Sequence, residues 1–263
     1  MKPNVLFFSY DAAFCKKCLP DIVVFPENKE QLKEVVHLMY ENNVPIVTRG
    51  AGTNLSGGTV PLKGGCVLVT TKMNKIKEIN SNDLYAVVEP GVITKTLADA
   101  AQKHDLFYPP DPGSMSISTL GGNVAENAGG LRGLKYGVTK DYVMGVKFLD
   151  SEGNEIIGGG KTVKLVTGFN LPGLMVGSEG LLGIIHEITL KLIPKPEYSR
   201  SMLVKYKSIQ DACETVSHII ASKILPCTLE LMDNFTIQAV EEYEKNWSSS
   251  RCGCITFDRS RWP

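Results

Sequence analysis

Hydrophobic positions along the chain recur with two periods, and the switching between them lays out the elements. Over residues 29–42, Leu32, Val35, Val36 and Met39 fall on one face at helical spacing, with Asn28 placed as N-cap and Gln31 three residues on. VPIV (44–47) predicts a strand, CVLVT (66–70) a second, and DLYAVVEPG (83–91) a third that Pro-Gly stops. TKTLADAAQKH (94–104) predicts a helix opened by Thr94, and residues 118–128 a short helix with glycines in its first turn. YVMGVKFLDSEGNEIIGGG (142–160) reads as a hairpin turning at SEGN, and GIIHEITLKLIP (183–194) as a long strand closed by prolines. Strands alternate with helices, so the class is α+β or mixed α/β rather than all-β.

PKPEYSR, near 194–200, marks a boundary, after which a second rhythm begins. It predicts strand SMLVKYK, helix SIQDACETVSHIIASK, strand CTLELM, helix NFTIQAVEEYEKN and a third strand in CGCITF. Pro172 and Gly173 shorten any helix in LPGLM.

Three glycine clusters, at 50–65, 121–137 and 177–183, interrupt these elements. None is a dinucleotide G-x-G-x-x-G, because four residues separate Gly52 from Gly57. None is an ATP-cleaving P-loop: Gly58 stands where the lysine belongs, and GGGKT (158–162) has Glu155 at its leading glycine position. What remains in TRGAGTNLSGG (48–58) is a run of backbone N–H groups beside Arg49, with Thr53, Asn54 and Ser56 adding side-chain donors. Successive amides in a tight turn make a nest for phosphate. Three such clusters favour one extended ligand held by main chain from several loops.

Composition narrows this picture. Lysine plus arginine number 28 and aspartate plus glutamate 28, so no long-range field gathers nucleic acid or anionic membrane, and an anion must be held locally. No apolar run is long enough to span a bilayer, and no secretory signal opens the chain, so a cytoplasmic location is expected. Seven scattered cysteines suit reduced thiols. Cys15 and Cys18 form one CxxC without a second pair, since Cys252 and Cys254 are badly spaced to complete four zinc ligands, and no metal is expected.

TRGAGTNLSGG, VVEPGV, FYPPDPGS, STLGGNVAENAGGLRGLKYGVTKDYVMG and VGSEGLLGI, in that order, resemble the FAD-binding domain of a group formed by D-lactate dehydrogenase, D-2-hydroxyglutarate dehydrogenase and the flavin-bearing GlcD chain of glycolate oxidase. These are vanillyl-alcohol oxidase-type (PCMH-type) flavoproteins, and the likeness runs over about residues 10–245. It implies an α+β fold: an N-terminal segment (1–19), an FAD-binding domain (20–197) of two α/β subdomains (about 20–80 and 81–197), and the start of an α+β cap (198–263). By the same resemblance, Arg49, Gly50, Ala51, Gly52, Thr53, Asn54, Gly57 and Gly58 wrap the FAD pyrophosphate. Pro110, Asp111, Ser114, Ser118, Thr119, Gly121, Gly122 and Asn123 line the flavin and ribityl parts, and Asn127, Gly130, Tyr136 and Gly137 continue that wall. Glu179, Gly180, Gly183, Ile184 and Ile185 hold the adenosine end. The loop has no His or Cys to attach flavin, so non-covalent FAD is expected.

Chains of this group are much longer, and their C-terminal cap supplies substrate arginines, a catalytic histidine and, in several, a His-rich metal motif. None of those motifs is present, so no catalytic residue is assigned; His37, His104, His186 and His218 read as surface or locally bonded imidazoles. The tail WSSSRCGCITFDRSRWP lacks the acidic, apolar strand expected there, which suggests a truncated or frame-disrupted member. The resemblance implies oxidation of a small D-2-hydroxy acid, glycolate or D-lactate. Electrons then pass to an iron–sulfur subunit, a quinone or an electron-transferring flavoprotein. The alternative is an FAD-binding fragment without turnover.

Overall fold

In a computed structural model, which describes residues 5–14, 17–244 and 253–258, the chain divides into two compact units. The first comprises residues up to 128 together with 138–195, and the second residues 129–137 together with those from 196.

The first unit opens with β1 (Ile22–Val24), α1 (Lys29–Glu41), β2 (Ile46–Arg49) and β3 (Cys66–Val69). Both other strands run parallel to the middle strand β3. Helix α1 forms where its pattern predicts: Asn28 Oδ1 accepts from Gln31 N, and Gln31 Oε1 accepts from Glu27 N. Leu32, Val36 and Met39 are its buried face. Leu32 and Val36 share a core cluster with Leu68, Met73, Leu149 and Ile184.

β4 (Ile76–Asn80), β5 (Tyr85–Val88), α2 (Thr94–Gln102), β6 (Leu106–Phe107), α3 (Leu120–Glu126), α4 (Gly133–Tyr136), β7 (Val143–Leu149), β8 (Glu155–Gly159), α5 (Leu171–Met175), β9 (Ile184–Lys191) and β10 (Ile193–Pro194) follow. All but α4 belong to the first unit. The second sheet is antiparallel in the order β4-β5-β9-β7-β8, so the predicted hairpin and long strand lie side by side. Asp150 Oδ1 closes the hairpin by accepting from Glu152 N and Asn154 N. Thr94 does not cap α2 as its position suggests. Ile93 is the cap residue, and the Thr94 hydroxyl turns inward toward Ser118 and Asn123. Helix α5 is five residues long, as Pro172 and Gly173 imply.

The second unit holds α4 and, beyond it, β11 (Ser201–Tyr206), α6 (Ile209–Ala221), β12 (Thr228–Met232), α7 (Asn234–Glu244) and β13 (Gly253–Asp258). β13 pairs antiparallel with both β11 and β12. β13 is the third strand predicted in CGCITF. Residues 245–252 and 259–263, with Cys252, lie outside the described residues, as does Cys15 of the CxxC. Among the described residues no helix is long and apolar enough to cross a membrane, and no cluster of His, Cys, Asp or Glu is placed to hold a metal ion.

One titratable group is trapped in this fold. His186 on β9 is 2% exposed, with Nε2 3.0 Å from Glu155 Oε1 but without a hydrogen-bond partner. Lys29 Nζ lies 3.4 Å from the same Glu155 oxygen, and Glu187 and Lys77 add their charges nearby. Burial depresses the imidazole's pKa below its ordinary 6.5, although Glu155 and Glu187 pull it upward. Below 6.5 the unfolded chain therefore binds a proton that the folded chain refuses, and stability falls with pH. Urea titrations should show unfolding free energy declining from about pH 7 to 5, and the decline should shrink in His186→Gln. Glu187, held below the usual carboxylate range despite burial by Lys147 and Lys77, loses its contribution only at lower pH.

Candidate functional site

β2 delivers the chain into the first glycine cluster at Arg49, which is 7% exposed. Its Nη1 donates to the carbonyl of Tyr10 at 2.7 Å and to Thr59 Oγ1 at 3.2 Å, and the guanidinium faces the Phe8 ring at 5.6 Å. Burial lowers its pKa, against the pull of Asp11. Arg49 thus braces the loop from its buried side. Gly52 sits at φ +72°, and any Cβ there would meet the Arg49 guanidinium. Gly50 has no room for a side chain either, because its Cβ would strike Thr119 Oγ1. Ala51, Thr53, Asn54, Gly57 and Gly58 complete a half-buried run. A cavity of about 550 Å³ opens where Phe7, Phe8, Tyr10 and Asp11 face Arg49 to Gly52.

Thr119 stands just before the second cluster and caps α3 by accepting from Gly122 N at 3.3 Å. Gly121 donates its N–H to Pro90 O at 2.8 Å, with Pro90 where a Cβ would go. Beneath α3, Thr94 Oγ1 lies 2.9 Å from Ser118 Oγ and accepts from Asn123 Nδ2 at 2.7 Å. All three residues are buried, so these side chains fix the helix start from inside. Pro110 and Asp111 are buried, while Ser114 is half-buried with its carbonyl accepting from Ile117 N and Ser118 N. Asn127 ends α3 in the left-handed region at φ 50°, its Oδ1 accepting from Lys140 N.

The third cluster docks on the end of α3. Gly177 N donates to Val124 O and Glu179 N to Ala125 O, both at 2.9 Å. Gly180 faces Thr48 of β2, and a Cβ on Gly58 would lie 3.4 Å from Glu179 Oε2 and 3.5 Å from Glu126 Oε1. Gly183 leads into β9 at φ +151° against the Phe148 ring. Ile184 packs in the core, and Ile185 is buried opposite Phe148. All three glycine stretches of the first unit therefore converge. Gly130, Tyr136 and Gly137 belong to the second unit, where Gly133 N bonds Gly130 O and Gly137 N bonds Gly133 O.

The surroundings are acidic. Burial raises the Glu126 carboxyl, and the charges of Glu179 and Asp11 add to the rise, although the Ser56 hydroxyl donates to it at 3.0 Å. Burial alone would raise Asp11 too, but hydrogen bonds from Ala13 N, Asn54 and Thr59 outweigh it and hold that carboxyl low. Sequence reading passed over Ser178, whose hydroxyl is buried between glycines without a partner. An unsatisfied buried hydroxyl calls for a partner, such as an ordered water or a ligand.

Residues 20–158 match the FAD binding domain family and residues 195–257 the C-terminal domain of FAD linked oxidases. The first match alone spans more than half of the chain. The chain belongs to the FAD-linked oxidase family. It is 50% identical over 240 residues to the glycolate oxidase subunit GlcD of Bacillus subtilis (strain 168), covering 91% of this chain and 51% of that one. The D-lactate dehydrogenase of Anaerostipes hadrus is 40% identical over 238 residues, covering 90% and 50%. The chain thus spans about half the length of the curated relatives it matches. Alkyldihydroxyacetonephosphate synthase superposes with a TM-score of 0.79 at 22% identity, over 93% of this chain and 48% of that one, which shows the shared fold.

The cofactor of this family member is FAD, and the geometry fits it: the segment Gly50, Ala51 and Gly52 lines the cavity of about 550 Å³. Gly52→Ala adds about 1–2 kcal/mol of left-handed strain and pushes on Arg49. FAD affinity, read by quenching of flavin fluorescence, should fall about tenfold or more. Gly160→Ala, which faces open space, should leave both affinity and melting temperature near those of the parent chain.

Proposed function

We propose that this chain serves an FAD-linked oxidation of a small D-2-hydroxy acid, glycolate or D-lactate. The observation that carries the reading is the convergence of the glycine stretches on one another. The names of the relatives at 50% and 40% identity, glycolate oxidase subunit and D-lactate dehydrogenase, support the substrate class.

In this reading the main chain of Arg49 to Asn54, with Gly57 and Gly58, holds the diphosphate, for amide dipoles are the donors an acidic surrounding leaves available. The segment from Pro110 to Asn123 borders the flavin and ribityl portion, its position set by the buried Thr94–Ser118–Asn123 bonds. Asn127 extends that border, and Glu179, Gly180, Gly183 and the main chain of Ile184 and Ile185 take the adenosine end. Ser178 adds a hydroxyl. When bound, FAD supplies a two-electron acceptor for the hydroxy acid's C2 hydrogen. The chain's own part is to bind and orient that cofactor. His37 pairs with Glu41 on the surface of α1, His104 and His218 are exposed, and His186 is buried behind Glu155, so none receives a proton-transfer role here.

Loop 48–58 offers no His or Cys for a covalent link, so acid precipitation of the loaded chain should release its flavin into the supernatant. Electron transfer to another subunit accords with the word subunit in the glycolate oxidase relative's name; an iron–sulfur protein, a quinone or an electron-transferring flavoprotein is the acceptor class, and the cytoplasm is the proposed location. Anaerobic addition of D-lactate or glycolate to the FAD-loaded chain should bleach the visible flavin band. Bound flavin that neither acid bleaches would leave the reading of an FAD-binding fragment without turnover.

A further inference from the structure

We propose that Asp11 is a positioning residue for the nucleotide loop, holding residues 52–59 in their ligand-ready form from outside the loop. Asp11 is 8% exposed. Its Oδ2 accepts from Asn54 Nδ2 at 2.8 Å, from Thr59 Oγ1 at 3.1 Å and from Thr59 N at 3.4 Å, while Oδ1 accepts from Ala13 N at 2.9 Å. One carboxylate therefore ties two loop positions together across the left-handed Gly57.

The neighbours of Asp11 reinforce the tie. Tyr10 O takes the Arg49 guanidinium, and Ala12 N donates to Gly52 O at 3.2 Å. Residues 10–12 thus touch the loop at 49, 52, 54 and 59. The loop's own side-chain bonds are long: Asn54 Nδ2 donates to Ser56 Oγ at 3.3 Å, Gly58 N to the same hydroxyl at 3.4 Å and Thr59 Oγ1 to Asn54 Oδ1 at 3.4 Å, and Leu55 is 80% exposed. A segment so poor in side chains loses much conformational freedom on ordering, and a ligand that must order it binds more weakly. Asp11 meets that cost before the ligand arrives. Its negative charge, unfavourable beside a diphosphate, is offset by the buried Arg49, whose cationic form it favours.

This inference rests on the assignment of loop 49–58 to the diphosphate, and the experiment separates the two. FAD affinity is measured on the full chain by flavin fluorescence quenching, with ADP as competitor, for Asp11→Asn, Asp11→Ala, Asn54→Ala and the Asp11→Asn/Asn54→Ala pair. Asp11→Asn keeps the shape but loses charge-assisted bonds, and should weaken FAD and ADP alike by about tenfold. Because Asp11 acts on the loop partly through Asn54, the double variant should fall short of the product of the single losses. Asp11→Asn should lose less than Asp11→Ala, since the amide oxygen still accepts. A purely stabilising role would lower the melting temperature while leaving the affinity of the folded chain for FAD and ADP unchanged. Should Asp11→Ala fail to fold, Asp11→Asn and Thr59→Val carry the test. The proposal is overturned if Asp11→Asn binds FAD within about twofold of the parent while Gly52→Ala loses it. If Gly52→Ala also binds normally, the loop assignment itself fails.

Discussion

Main chain pressed on main chain, with no side chain between, is the condition the site depends on. Gly121 bonds Pro90 O at 2.8 Å, and the amides of Gly177 and Glu179 dock on carbonyls near the end of α3. Stretches far apart in the chain are brought within one hydrogen bond of each other only because glycines stand at the crossings. Such glycines are costly in entropy. The offset comes from elsewhere: a parallel sheet against α1, and a five-stranded antiparallel sheet behind the glycine turns.

The electrostatics of this arrangement are unusual for an anion site. Asp11, Glu126 and Glu179 are its acidic neighbours, and Arg49, a basic group built into the loop, is turned to Tyr10 and Thr59. Fixed partial charges on amides suit that setting, because their direction is set by the fold and they draw in no competing counter-ion field. A lysine-based phosphate grip would be neutralised by the same carboxylates.

Much of this was legible in the amino acids. The period-3.6 face of α1 and its Asn28 cap, the hairpin at Asp150–Asn154, and the three glycine clusters all follow from local rules. β1 and β4 escaped notice: IVV is short and bracketed by prolines, while IKEIN mixes charge into a strand made by its neighbour. Thr94 looked like a cap because threonine favours that position, and only the tertiary fold shows Ser118 and Asn123 competing for its hydroxyl. Asp11 lies some forty residues from its partners, a pairing no local rule reveals. Ser178 hid among glycines, since an unsatisfied hydroxyl is a property of burial.

β9 lies at the centre of the antiparallel sheet, between β5 and β7, and its last residue pairs with Tyr85. As the chain emerges from a ribosome, β5 and β7 must wait, apolar and without a common neighbour, until residues 184–191 have been made. Assembly of this sheet is therefore a late and non-local event.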